Sequence, residues 1–176
     1  MNLLGLDISL TSTGYSNHGF TSLIRVKSRG PERLYQISNT VIDACIEYEI
    51  DAVILEGYSF ASRNSQAHSI GELGGCIRMR LWENNIPYVE VPPTSRAKFA
   101  TGRGNAGKTE VISAISSKTG LVFSGAGADD ECDAWILEEM GLTQLGLSKY
   151  QWTKEQLSAL EKIDWSQMNG VADGEK

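Results

Sequence analysis

One short run constrains this chain more than any other: Leu3-Leu4-Gly5-Leu6-Asp7-Ile8-Ser9, continuing into Leu10-Thr11-Ser12-Thr13-Gly14-Tyr15. An apolar stretch of that length with one carboxylate inside it reads as a buried strand carrying a charge. A buried carboxylate without a partner is costly, so it is protonated, paired or bound to a metal. Asp also favours turns, and an Asp that merely ends a strand is the competing reading. The acids downstream decide between the two. Glu56 closes a second apolar run, and Asp129, Asp130, Glu131 and Asp133 stand together further on, each at the end of an expected element. The rest of the chain reads as arranged to bring them to Asp7.

Residues 2–8 form the first strand. Residues 13–19 return through a hairpin as a second, and 20–28, with Leu23, Ile24 and Val26, read as a third. A helix then spans 31–49, with Pro31 suited to its first turn and Glu32 to its positive end. The run Ala52-Val53-Ile54-Leu55-Glu56 is a fourth strand, continuous enough in apolar residues to be parallel and covered on both faces. A loop over 57–65 carries Tyr58, Phe60 and Arg63, and a helix over 66–83 carries Gly71, Gly74 and Gly75. Glycine within a helix costs about 1 kcal/mol relative to alanine, so three of them point to close packing of another backbone. Residues 86–91 are the fifth strand, stopped by Pro92-Pro93. Helices follow over 94–99, 108–118, 129–140 and 153–163, the last with Thr153 as cap and Gln156 at the capping-box position. The expected architecture is α/β: a mixed five-stranded sheet, three antiparallel strands then two parallel ones, flanked by helices. Residues 1–168 read as one domain and 169–176 as a disordered tail.

No apolar run reaches the length of a membrane span, so no membrane role is expected. Cys45, Cys76 and Cys132 are odd in number and lack zinc spacing, which fits reduced thiols in a cytoplasmic protein. The net charge of −6 argues against a nucleic-acid partner until its distribution is examined. Residues 119–176 carry 4 basic and 11 acidic side chains, whereas the window 58–108 holds seven basic residues (Arg63, Arg78, Arg80, Arg96, Lys98, Arg103, Lys108) against three acidic ones. Phosphate binding needs a local basic stripe, not a basic chain. Arg78 and Arg80 also fit an ordinary solvated helix face.

Asp130 and Asp133 are three apart and share one helix face. If the first and fourth strands are neighbours, Asp7 and Glu56 lie side by side. Four clustered carboxylates raise one another's pKa values, a conflict that hard divalent cations remove. Two such ions about 3.5–4 Å apart clamp the attacking and leaving oxygens of a phosphoryl displacement. Favourable charge at a helix N-terminus explains one or two of the acids after Gly127, not the whole set. A rival signal is Gly102-Arg103-Gly104-Asn105-Ala106-Gly107-Lys108-Thr109, which matches the P-loop pattern letter for letter. That motif needs a strand directly before it. Here Ser95 to Thr101 precedes it and is no apolar strand, so contact with nucleic-acid backbone phosphates is the better reading.

Over residues 2–140 the chain resembles the RuvC-type Holliday junction resolvases of the RNase H-like (retroviral integrase) superfamily. The resemblance is carried by Gly5-Leu6-Asp7-Ile8-Ser9 with Thr13-Gly14-Tyr15, by Val53-Ile54-Leu55-Glu56, by Lys98 with Thr101 to Val111, and by Asp130-Glu131-Cys132-Asp133-Ala134. It implies an RNase H-like fold and a metal-binding tetrad of Asp7, Glu56, Asp130 and Asp133. It implies that Lys98 and Lys108 lie near the scissile phosphate, with Lys108 counted among the catalytic residues. DNA contacts would then come from Tyr58, Phe60, Arg63, Lys98, Arg103 and Lys108. The implied activity is crossover junction endodeoxyribonuclease, cutting branched DNA as a homodimer with two Mg²⁺ ions per site, Mn²⁺ being the alternative. Three departures stand out. The family's junction-probing aromatic falls on Ser59, with Tyr58 and Phe60 flanking it. The stretch from Lys98 to Gly102 is one residue short. The acidic segment after Met140 outruns the family's usual end, as in some phage-encoded relatives.

Two other classes compete. Actin-like and sugar-kinase ATPases also open on an Asp-bearing strand and a Thr-Gly hairpin, but need a second lobe for which 176 residues leave no room. A non-catalytic junction-binding module would gain nothing from four carboxylates beside DNA phosphates. No nucleotide cofactor is expected.

Overall fold

The computed structural model describes residues 1–57 and 65–168, without the side chains of 65–69. Tyr58, Ser59, Phe60, Arg63 and the tail 169–176 lie outside the described residues. Five strands, β1 (Leu3–Asp7), β2 (Thr13–Asn17), β3 (Phe20–Ile24), β4 (Ala52–Glu56) and β5 (Tyr88–Val91), form one sheet in the order β3-β2-β1-β4-β5. β2 is antiparallel to β1 and β3, while β4 runs parallel to β1 and to β5. The mixed sheet expected from the sequence is present, and β1 and β4 are neighbours, the condition for Asp7 to lie beside Glu56. β3 ends at Ile24 and not at residue 28, because Lys27-Ser28-Arg29 offers nothing apolar to a sheet face.

Alternation along the strands sorts the core into two layers. Leu4, Leu6, Val53 and Leu55 point to one face, where they meet Ile37, Val41 and Cys45 of α1 (Gly30–Glu47) and Leu73, Ile77 and Leu81 of α2 (Ser65–Glu83). Leu3, Ala52, Ile54, Val89 and Val91 point to the other. That face carries α3 (Pro93–Thr101), α4 (Lys108–Thr119) and α5 (Ala128–Gln144). Among the described residues no helix is long and apolar enough to cross a membrane, and the three cysteines are unpaired.

α5 lies directly on β1 and β2, and two glycines permit it. A Cβ on Gly5 would stand 2.0 Å from the Ala134 carbonyl oxygen, and one on Gly14 would stand 2.2 Å from that of Asp130. Any side chain at either position would lift the helix off the sheet.

The region after α5 is integral to the second layer. Expected as one helix over 153–163, it is a short α6 (Lys154–Leu157) followed by a 3₁₀ turn at Leu160–Lys162. The capping box of Thr153 and Gln156 forms as expected. The chain then turns inward so that Ala159, Leu160, Ile163, Trp165 and Met168 enter the core. Trp152 packs on Phe99 with ring centroids 4.2 Å apart, and the Gln156 side-chain amide donates to the Ala100 carbonyl at 3.0 Å.

Candidate active site

Leu3, Gly5 and Asp7 alternate onto the face of β1 that α5 covers, so the same contact that seats the helix presents its acids to Asp7. β4 places Glu56 at the matching strand end, since Leu6 pairs with Leu55. Asp130 and Asp133 come from the first turns of α5, with Asp133 buried. The four carboxylates named from the sequence are thereby brought into one electrostatic neighbourhood. Burial, then the charges of Glu56 and Asp133, push the Asp7 carboxyl well above its usual range. Burial pushes Asp133 up to about 7, with Arg96 opposing and Glu56 adding to the rise. Asp130 is raised by burial and by Asp129, with the Ser12 hydroxyl and Lys108 pulling the other way.

The sequence reading missed Arg96 as a member of this centre. Its Nε donates to Glu56 Oε2 and its Nη1 to Asp133 Oδ1, so one guanidinium ties two carboxylates from different elements. Burial works against the charge, but Glu56 and Asp133 outweigh it and hold the guanidinium's pKa above its usual value. Lys98, two residues on, lies on the opposite side of α3, because two helical steps rotate a side chain by about 200°. It lines a small hollow with Thr94, Ser95, Gly104 and Lys162, away from the carboxylates. The signal was present in that spacing: Arg96 and Lys98 cannot face one site together.

Lys108 begins α4 and bonds Asp129, the acid just before Asp130. That bond, chiefly, raises the lysine's pKa and lowers that of Asp129. Arg103 is exposed and pairs with Glu110. The P-loop-like segment joins two helices, α3 and α4, and no strand enters it, so the geometry a phosphate-binding P-loop requires is not there. Arg80 pairs with Glu83 and Asn39, and Arg78 with Glu90, as befits a surface helix face.

The donor set suits a hard divalent cation: all oxygen, partly buried, and short of positive charge. Among the described residues, no three acidic, histidine or cysteine side chains converge as a ready-made cage. Arg96 stands between two of the four carboxylates.

A five-stranded mixed sheet of this order, with helices on both faces, is an RNase H-like fold. Within that class the chain is RuvC-like in both sequence and fold. It is 27% identical over 133 residues to the crossover junction endodeoxyribonuclease RuvC of Caldicellulosiruptor saccharolyticus, covering 69% of this chain and 80% of that protein. It is 28% identical over 155 residues to the RuvC of Synechococcus, covering 82% and 99%. The structure of Thermus thermophilus RuvC in complex with Holliday junction substrate shares the fold, with a TM-score of 0.67 at 20% identity over 86% of this chain and 99% of that one. No protein-family profile matches the chain.

Proposed function

We propose that this protein is a divalent-metal-dependent, structure-selective DNA endonuclease that resolves Holliday junctions and related branched DNA by phosphodiester hydrolysis. The observation that carries the reading is that Asp7, Glu56, Asp130 and Asp133, from three distant parts of the chain, share one electrostatic neighbourhood, with Asp7 and Asp133 both held above the usual carboxylate range. Likeness to proteins named crossover junction endodeoxyribonuclease supports the substrate class.

Asp7, Glu56, Asp130 and Asp133 would hold the metal. Divalent ions there would supply charge to activate a water and to stabilise the leaving oxygen. The chain's own cations do the rest. Lys108 stands at the rim of the carboxylates through Asp129 and supplies positive charge to the phosphate as negative charge builds on it. Arg103 offers a further exposed cation along the same connection. The reading assigns backbone DNA contacts to these residues and to Lys98, and junction contacts to Tyr58, Phe60 and Arg63.

We further propose action as a homodimer through α2. Gly75, Met79 and Trp82 fall at i, i+4 and i+7, all three are exposed, and a Cβ on Gly75 would meet only open space. A two-fold pair of sites suits two symmetric cuts in a four-way junction. Sedimentation checks this: a monomer at micromolar concentration, with activity linear in protein, speaks against it.

The deciding experiment is cleavage of four-way, three-way and linear DNA with Mg²⁺, with Mn²⁺ and with chelator. Metal-dependent cutting confined to branched substrates is expected. Equal cutting of linear DNA, or none of any, overturns the assignment.

A further inference from the structure

The carboxylate centre already contains a cation. Arg96 is carried to it by the backbone: Glu56 pairs with Val91 at the end of β5, Pro92-Pro93 turn the chain, and α3 begins at once. The Arg96 side chain is 12% exposed, between Glu56 at 17% and Asp133 at 9%. Two different nitrogens of its planar fork reach two different carboxylates. Lysine has one nitrogen on a flexible stem and cannot reproduce that fixed two-nitrogen fork. The oxygens so engaged, Glu56 Oε2 and Asp133 Oδ1, belong to two of the four acids that the metal reading needs.

We propose that Arg96 is a resident counter-cation acting as a latch: it holds Glu56 and Asp133 together in the metal-free protein and must release at least one of them before a divalent ion can be ligated by both. The inference rests on the metal-centre reading above. The latch serves two purposes. It stabilises a cluster of buried acids that would otherwise repel, and it sets a threshold for metal occupancy. Arg96 is a positioning residue here, since it acts through the two carboxylates.

Two alternatives predict different behaviour. If Arg96 merely adds positive charge, a variant that keeps the charge keeps the metal affinity. If Arg96 orders the ligands for the ion, any substitution weakens binding. A latch predicts that losing the bridge tightens binding even when the charge stays.

The test is Mn²⁺ binding to DNA-free protein, by calorimetry and by the electron paramagnetic resonance of free Mn²⁺, for wild type, Arg96→Lys and Arg96→Met. Thermal unfolding is followed with and without saturating Mn²⁺. Arg96→Lys is expected to bind Mn²⁺ about tenfold more tightly, the scale of one charge-assisted hydrogen bond released. It is expected to melt below wild type without metal and level with it at saturation, because the bound state no longer contains the bridge. Arg96→Lys guards against failure of Arg96→Met to fold, since it keeps a cation among the buried acids. Unchanged or weaker Mn²⁺ affinity in Arg96→Lys, with wild type binding normally, overturns the latch and leaves the metal centre standing. A melting difference that persists at saturation also overturns it. If wild type binds no Mn²⁺, the metal-centre reading falls and the latch falls with it.

Discussion

The two halves of α5 bury acids to opposite effect. In the C-terminal half, Glu138 and Glu139 are both buried, and protein donors surround each of them. Glu138 accepts from the Ser16 hydroxyl at 2.5 Å and from the Gly19 N–H at 3.1 Å. Glu139 accepts from the Ser148 hydroxyl and from the Trp152 indole N–H at 3.2 Å. In the N-terminal half, Asp133 lies in the field of Asp7 and Glu56, and its strong partner is the Arg96 guanidinium, which it shares with Glu56. Burial raises Asp7, Asp133, Glu138 and Glu139 alike, so burial alone does not mark function. The supply of donors differs instead: Glu138 and Glu139 each have two or more protein donors and anchor the hairpin and the C-terminal segment, while Glu56 and Asp133 depend on one guanidinium between them.

The sharpest way to break that contrast is Asp7→Asn. Removing one ligand from the undersupplied end is expected to lower cleavage of a four-way junction at least about 1000-fold. Junction binding, measured by gel shift in chelator, stays near wild type because the basic residues are untouched. Substantial metal-dependent cleavage by the variant defeats the assignment of this end as catalytic.

Lys108→Ala comes next. Loss of one positive charge beside the reacting phosphate typically costs roughly 2.7–4 kcal/mol, about 100- to 1000-fold in rate. Metal binding should persist, since the lysine is no ligand. Single-turnover cleavage without nucleotide reads the effect, and calorimetry with Mg-ATP reads the rival. Micromolar ATP affinity lost in Lys108→Ala, with no cleavage by either protein, restores the P-loop.

The other end of α5 is tested by stability. Glu138→Ala leaves the Ser16 hydroxyl and the Gly19 N–H without their acceptor, and buried donors stripped in this way cost about 1–3 kcal/mol. Urea denaturation of the metal-free protein should show that loss, while Asp133→Asn, which removes charge beside Asp7 and Glu56 and keeps an oxygen that can accept from Arg96, should show a smaller one. A reversed order would mean that the two halves of the helix do not differ as described.

The sequence made the sheet half of the centre legible and the helix half only in part. Asp7 and Glu56 belong to apolar runs that read as strands, and both strands formed where the runs lie. Asp130 and Asp133 were visible as an acidic helix start, but their approach to Asp7 depends on the space left at Gly5 and Gly14, which shows only once the helix is seated. Arg96 was counted in the basic stripe and not in the site. The phase of α3 decides that Arg96 and not Lys98 faces Glu56, and Pro92-Pro93 together with the burial of Ala97 and Phe99 set that phase. The segment over 153–163 kept its cap but not its length, because burying Leu160 and Trp165 outweighed continuing a helix.

The last test sharpens the comparison through pH. Asp133 titrates near 7 in the folded protein, against an ordinary aspartate value in the unfolded chain. Between those two values the folded state holds a proton that the unfolded state has released. Stability therefore falls as pH rises from about 4 to about 7, by no more than about 1.4 kcal/mol per pH unit for one proton. Glu138 and Glu139 contribute slopes of the same sign, so wild type alone does not isolate the site. The difference between wild type and Asp133→Asn does, because asparagine has no proton to lose and leaves the other end of the helix as it was. In metal-free urea denaturations the variant should lose less stability than wild type between pH 5 and pH 7.5. Divalent metal should recover more stability for wild type at pH 7.5 than at pH 5, since ligation requires the deprotonated carboxylates. Parallel pH profiles for the two proteins would place the titrating proton elsewhere, at Glu138, Glu139 or Asp7.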